Sequence, residues 1–208
     1  MISYIVIGVV SLLLLVADQV VKVIIDSNLV QNGDGIVVIG NFFSITNVHN
    51  KGAAWGIFQD ATIPLAILSV LMAAVVLYVF IQADSNLVKL STALIFVGAI
   101  GNVIDRFRLG YVVDFLHFYN LFGFYDFPTF NIADICVTSG VIGLIIYFIF
   151  CSRKKNAFRQ GTLLHRWFYE KKTPEEGRDA SKEPDSDAAD DTAANDTAAD
   201  DTDDTKNS

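Results

Sequence analysis

Four stretches of this chain are apolar over lengths that a water-soluble domain of 208 residues has little use for: residues 1–25, 63–81, 87–104 and 135–151. An α-helix rises about 1.5 Å per residue, so roughly twenty apolar residues cross the ~30 Å hydrocarbon core of a bilayer. Inside that core the backbone must satisfy its own polar groups, and segments of this length do so as helices. Composition agrees, with 52% hydrophobic and 18% charged residues and a mean hydropathy of +0.44. The fold class expected is therefore a mainly α membrane protein with four transmembrane helices, a small extracytoplasmic β-sheet and an interfacial loop.

The first stretch has no basic n-region and no small-x-small cleavage site, and apolar residues resume after Asp18, so it reads as an uncleaved helix to about Ile25. Pro64 falls in the first turn of the second span, where a missing N–H costs little. The link Gln82 to Asn86 is short enough that the third span must return antiparallel to the second. Arg153, Lys154, Lys155 and Arg159 follow the fourth span, which the positive-inside rule makes cytoplasmic. Both termini are then inside, and residues 26–62 and 105–134 outside. In the first of these regions, Ile36–Ile39 and Phe42–Val48 are β-rich runs separated by Gly40-Asn41, a plausible hairpin turn. The small residues of His49 to Gly56 allow close backbone approach. In the second region, Phe115 to Phe130 is crowded with Phe and Tyr, as suits a segment at headgroup level. The expected organisation is a membrane domain over 1–155, a cytoplasmic juxtamembrane segment over 156–172 and an acidic tail over 173–208. Of the 23 Asp/Glu, fourteen lie after residue 169, so the net charge of -8 belongs to the tail. Too poor in apolar residues to offset its ordering entropy, the tail is expected to be disordered.

Asp105, Arg106, Asp114 and Asp134 lie between or at the edges of the last two spans. Ionisable groups at membrane depth are expensive and mark functional sites. Two carboxyl groups close together in a low-dielectric site cannot both ionise. The charged one can take a proton from water while the protonated one polarises a peptide carbonyl, which is aspartic-protease chemistry. Structural readings compete. Asn131 and Asp134 have capping-box spacing, Asp105 and Arg106 would make an ion pair at a helix end, and Asp18 and Lys22 an i,i+4 pair. Asp114, flanked by Val113 and Phe115, has no local partner. Gly98 and Gly101 form a thin face suited to helix packing. Cys136 and Cys151 are too far apart on one helix to pair, and no Cys/His group has zinc spacing. A proton- or ion-coupled transporter would also bury carboxylates, but these cluster at one face and no inverted repeat is evident. A non-catalytic assembly protein would leave Asp114 and Asp134 replaceable.

The blocks D-Q-V-V-K (Asp18 to Lys22), N-V-H-N-K-G-A-A (Asn47 to Ala54), G-N-V-I-D-R (Gly101 to Arg106), V-V-D-F (Val112 to Phe115) and F-N-I-A-D (Phe130 to Asp134) stand in fixed order. Over about residues 1–155 the chain resembles bacterial lipoprotein signal peptidase, signal peptidase II. The resemblance implies a four-helix aspartic endopeptidase of the inner membrane. Such an enzyme removes signal peptides from diacylglyceryl-modified prolipoproteins just before the lipidated cysteine. It implies that Asp114 and Asp134 are catalytic and that Asp18, Lys22, Asn50, Asn102, Asp105, Arg106 and Asn131 support them or the substrate. It further implies no cofactor or metal, no nucleic-acid partner, membrane lipids as surroundings, a monomer, and inhibition by the cyclic peptide globomycin.

Overall fold

A computed structural model describes residues 2–52, 62–121, 124–151 and 157–169. The small residues Ala53 to Gly56, the basic residues Arg153 to Lys155 and the tail from Thr173 lie outside the described residues. Four helices are long and apolar enough to cross a membrane: α1 (Ile2–Asn28), α2 (Thr62–Gln82), α3 (Asn86–Leu109) and α4 (Ile132–Ile146), the last prolonged by one wider turn, Tyr147–Cys151. Half of the apolar window of α3 is buried, against 11% for α1, 17% for α2 and 22% for α4, so α3 is the axis of the bundle. The other helices turn large apolar side chains outward, among them Leu13, Ile67, Leu71 and Ile142, as a lipid-facing surface requires.

Helix α3 runs past the expected end near Ile104 to Leu109, closing on Gly110, whose left-handed backbone (φ 81°) donates to the Arg106 carbonyl. Asp105 and Arg106 are thus helical residues. Apolar periodicity stops before the helix does, because the last turns bury charges that have partners elsewhere. Glycines line the α3–α4 seam. A Cβ at Gly98 would strike the carbonyl oxygen of Ala133, and one at Gly140 the carbonyl of Ser91. Gly98→Ala therefore pushes on backbone, and we expect a loss of about 1–3 kcal/mol, read as a lower melting temperature in detergent. An unchanged melting temperature would mean that the helices are not in contact there.

Strands β1 (Ile36–Ile39), β2 (Phe43–Asn50), β3 (Val112–Leu121) and β4 (Phe124–Asp126) form one antiparallel sheet in chain order. Ile39 pairs with Phe43, so the first turn holds Gly40, Asn41 and Phe42, one residue more than the expected two. Gly40 supplies the positive φ (37°) this turn needs. The aromatic stretch after Asp114 is itself largely strand, its rings packed in pairs such as Phe43 on Phe118 and Phe118 on Phe130. At the opposite end of the bundle, residues 157–159 strap the α2–α3 link: Asp84 N–H donates to the Ala157 carbonyl, and Arg159 N–H to that of Gln82. A short helix, α5 (Leu163–Tyr169), packs there against Phe158 and Phe148.

Candidate active site

Asp114 and Asp134 are brought together by β3. Phe115 and Leu116 donate their N–H groups to the Phe130 carbonyl, and Phe130 N–H returns to the Leu116 carbonyl. The strand carrying Asp114 is thereby clamped to the segment that opens α4. On the other edge of β3, Val48 pairs with Asp114 and Asn50 with Val112. Asn50 consequently lies diagonal to Asp114 on one face of the sheet, within reach of it.

Asn131 caps α4 as its spacing predicts. Its side chain accepts from Asp134 N–H (2.9 Å), and Asp134 accepts in return from Asn131 N–H (3.2 Å). This arrangement also builds the site. A backbone N–H can only donate, so the Asn131 amide must turn its oxygen to Asp134 and its NH2 group to Asp114 Oδ1, 2.6 Å away. The same logic orients the other two amides. Gly52 N–H occupies Asn50 Oδ1, leaving Asn50 Nδ2 to donate to Asp114 Oδ2 at 2.9 Å. The Lys22 ammonium, also an obligate donor, occupies Asn102 Oδ1 at 2.9 Å, leaving Asn102 Nδ2 to donate to Asp134 Oδ1 at 2.8 Å. Each of the four carboxylate oxygens receives one N–H, and one residue, Asn131, touches both acids.

Beneath them lies a charged layer between α1 and α3. Lys22 is fully buried and pairs with Asp18 (2.9 Å) and Asp105 (2.8 Å). The pair expected between the neighbours Asp105 and Arg106 does not form, because consecutive helix residues do not face each other. Asp105 turns to Lys22 and Val113 N–H, while Arg106 donates to the Gly52 carbonyl at 3.3 Å. The Nε of Arg106 is buried with no partner among the described residues, within range of the charges of Asp134 and Asp114. Asp18 reaches across to cap Ala133 N–H at 2.9 Å, one residue before Asp134. Gly101 makes room for it, since a Cβ there would sit 2.9 Å from Asp18 Oδ2.

Sequence reasoning passed over Gln19, whose amide bridges Asp18, Asp105 and the Gly101 carbonyl. Its place beside Asp18 in a span was the available signal. It also passed over Asp26, which holds His49 (2.7 Å) and the Tyr111 hydroxyl (3.3 Å), with the His49 and Tyr111 rings stacked. Burial, then the Asp26 charge, pushes the Tyr111 hydroxyl up from its ordinary value. His117 sits apart on Asp126, and no group of three His, Cys, Asp or Glu able to hold a metal occurs among the described residues. Cys136 and Cys151 are free.

Electrostatically, Asp114 is the residue most out of the ordinary. Burial, followed by the neighbouring charge of Asp134, outweighs the amides of Asn50 and Asn131 and raises its carboxyl from 3.8 to about 7.

Residues 10–150 match the family model for signal peptidase (SPase) II. The chain belongs to the signal peptidase II family. The lipoprotein signal peptidase of Clostridium tetani is 47% identical over 121 residues, covering 56% of this chain and 76% of that protein. That of Moorella thermoacetica is 42% identical over 134 residues, covering 64% and 85%. A bacterial membrane enzyme solved by the in meso method at 2.3 Å superimposes with a TM-score of 0.66 at 35% identity, covering 74% of this chain and 94% of that one. A second, solved at 1.9 Å, gives 0.63 at 38% identity, covering 70% and 94%. The peptidase is thus a multi-pass bacterial membrane enzyme of the lipoprotein-processing family, with four spans.

Proposed function

We propose that this peptidase hydrolyses the peptide bond immediately before the lipidated cysteine of diacylglyceryl-modified prolipoproteins, with Asp114 and Asp134 activating the water. The observation that carries the reading is the double engagement of Asn131, which donates to Asp114 from its side chain and to Asp134 from its backbone. One residue thereby holds the two acids to a single place where a water and a scissile carbonyl can sit. A substrate anchored by its lipid and its signal helix presents that bond near the outer surface, where the sheet lies. The termini are on the cytoplasmic side and the aspartates at the outer face, in keeping with Arg153, Lys154 and Lys155 after the last span. Arg106, with Nε unpartnered among the described residues, is suited to donate to a backbone carbonyl of the bound peptide. The enzyme works as a monomer, and globomycin competes for the same site.

The test is mass analysis of a lipidated prolipoprotein after incubation with the enzyme in liposomes. A new N-terminal cysteine still carrying its diacylglyceryl group is expected. Cleavage elsewhere, or equal cleavage of unlipidated precursor, refutes the assignment of substrate.

The pH profile follows from the shared proton. Below about pH 7 Asp114 holds it, and rising pH strips it from the pair, so activity falls on the alkaline side. On the acid side activity falls as the remaining carboxylate is protonated too. The apparent values describe the pair. A rate unchanged from pH 5 to pH 9 argues against a proton-sharing dyad.

A further inference from the structure

A groove of about 280 Å3 runs along the half of the bundle away from Asp114 and Asp134, between α1, α2 and α3. Gly8, Leu12, Leu77, Phe80 and Val97 line it, and its walls are almost wholly apolar. Nothing stands within 4 Å of where a Gly8 side chain would begin, so the glycine opens the groove to its full width. Ten residues of α-helix with their side chains, ~10 Å across and ~15 Å long, fill on the order of 1,200 Å3. The groove is therefore too small to enclose a helix, and its apolar walls suit a hydrocarbon chain.

Its mouth on the side of Tyr4 is cationic. Tyr4, one turn before Gly8, packs edge-on against Phe80 (5.9 Å). The Lys89 ammonium lies 4.5 Å over the Tyr4 ring, and Arg159 Nη2 donates to the Tyr4 hydroxyl at 3.2 Å. Lys89 is 7% exposed and makes no ion pair among the described residues, and neither does Arg159 or the nearby Asp84. Most of Lys89 is buried while its ammonium sits against an aromatic ring with no acid paired to it among the described residues, a position that an anion reaching the groove mouth can fill. Basic pockets between helices at the cytoplasmic face suit anionic headgroups.

We infer that this groove is a binding site for one anionic phospholipid of the cytoplasmic leaflet, its phosphate between Lys89 and Arg159 and one acyl chain in the channel opened by Gly8. The lipid fills the gap between the inner halves of α1 and α3, whose outer halves are joined by the Lys22 cluster. The site is separate from the hydrolytic pair and does not depend on the proposed reaction.

The test uses full-length protein, delipidated in maltoside detergent, titrated with phosphatidylglycerol or phosphatidylcholine while thermal unfolding is followed. Phosphatidylglycerol is expected to bind about tenfold more tightly. Lys89→Gln and Arg159→Gln should each weaken it about fivefold, as one basic contact of ~1 kcal/mol implies, without changing the affinity for phosphatidylcholine. Gly8→Leu fills the channel, so it should weaken both lipids while leaving the lipid-free melting temperature unchanged. Glycerol phosphate, a headgroup without chains, should not stabilise the protein. Equal affinity for the two lipids, or basic variants that bind phosphatidylglycerol as the parent does, overturns the proposal. So does a Gly8→Leu variant with unchanged lipid affinity but a raised KM for prolipoprotein, which gives the groove to the substrate's signal helix.

Discussion

Asp114→Asn is expected to lower the rate of prolipoprotein cleavage by about 10²- to 10⁴-fold, the range a positioned acid–base group contributes, and Asp134→Asn to do the same. The amide keeps the size of the acid but can neither give nor take the proton. The double variant should be scarcely worse than either single one, because two groups that share one proton act as a unit. Folding is separable from chemistry here. The Asp114 carboxyl stays protonated to about pH 7 in the folded protein but only to its ordinary 3.8 when unfolded. A folded-state value above the unfolded one means stability that is fully present below about pH 4 and lost as pH rises through about 7. Asp114→Asn removes that loss, so its melting temperature relative to the parent should improve between pH 4 and pH 7. An inactive variant with this pattern is folded and chemically disabled. Full cleavage by either variant eliminates the dyad.

The second large effect is expected at Lys22. Its ammonium is fully buried against Asp18, Asp105 and the Asn102 carbonyl oxygen. Lys22→Met leaves two carboxylates in a dry layer without their cation, and breaking a buried pair in this way costs about 3–5 kcal/mol. Much of the protein should then fail to survive extraction into detergent as a monodisperse species. Replacing the whole set, Asp18→Asn, Lys22→Met and Asp105→Asn together, should recover much of that stability, since a buried ion cluster and a neutral one of similar volume are often nearly equivalent. Activity should not return. With the ammonium gone, the Asn102 oxygen keeps only the longer bond from Asn131 Nδ2 (3.2 Å), so the amide is held less firmly toward Asp134. Recovery of both stability and rate would reduce the cluster to a structural filler. Loss of less than about 1 kcal/mol for Lys22→Met alone would contradict the balance of charge described.

What the sequence determined by itself is what depends on near neighbours. Hydropathy over twenty residues located all four spans. The Asn131–Asp134 spacing revealed the α4 cap, and charges stranded in apolar surroundings pointed to Asp114 and Asp134. Even the i,i+4 pairing of Asp18 with Lys22 was legible, being a property of one helix. Tertiary structure decided the contacts between residues far apart in the chain. It sent Asp105 to Lys22 instead of Arg106, set Asn50 on Asp114 through the β2–β3 register, and aimed the Asn102 amide at Asp134 by bringing Lys22 of α1 onto its oxygen. The physical reason is that a side-chain hydrogen bond acts over about 3 Å, whereas what brings α1 that close to α3 is the missing side chain of Gly101, whose Cβ would meet Asp18.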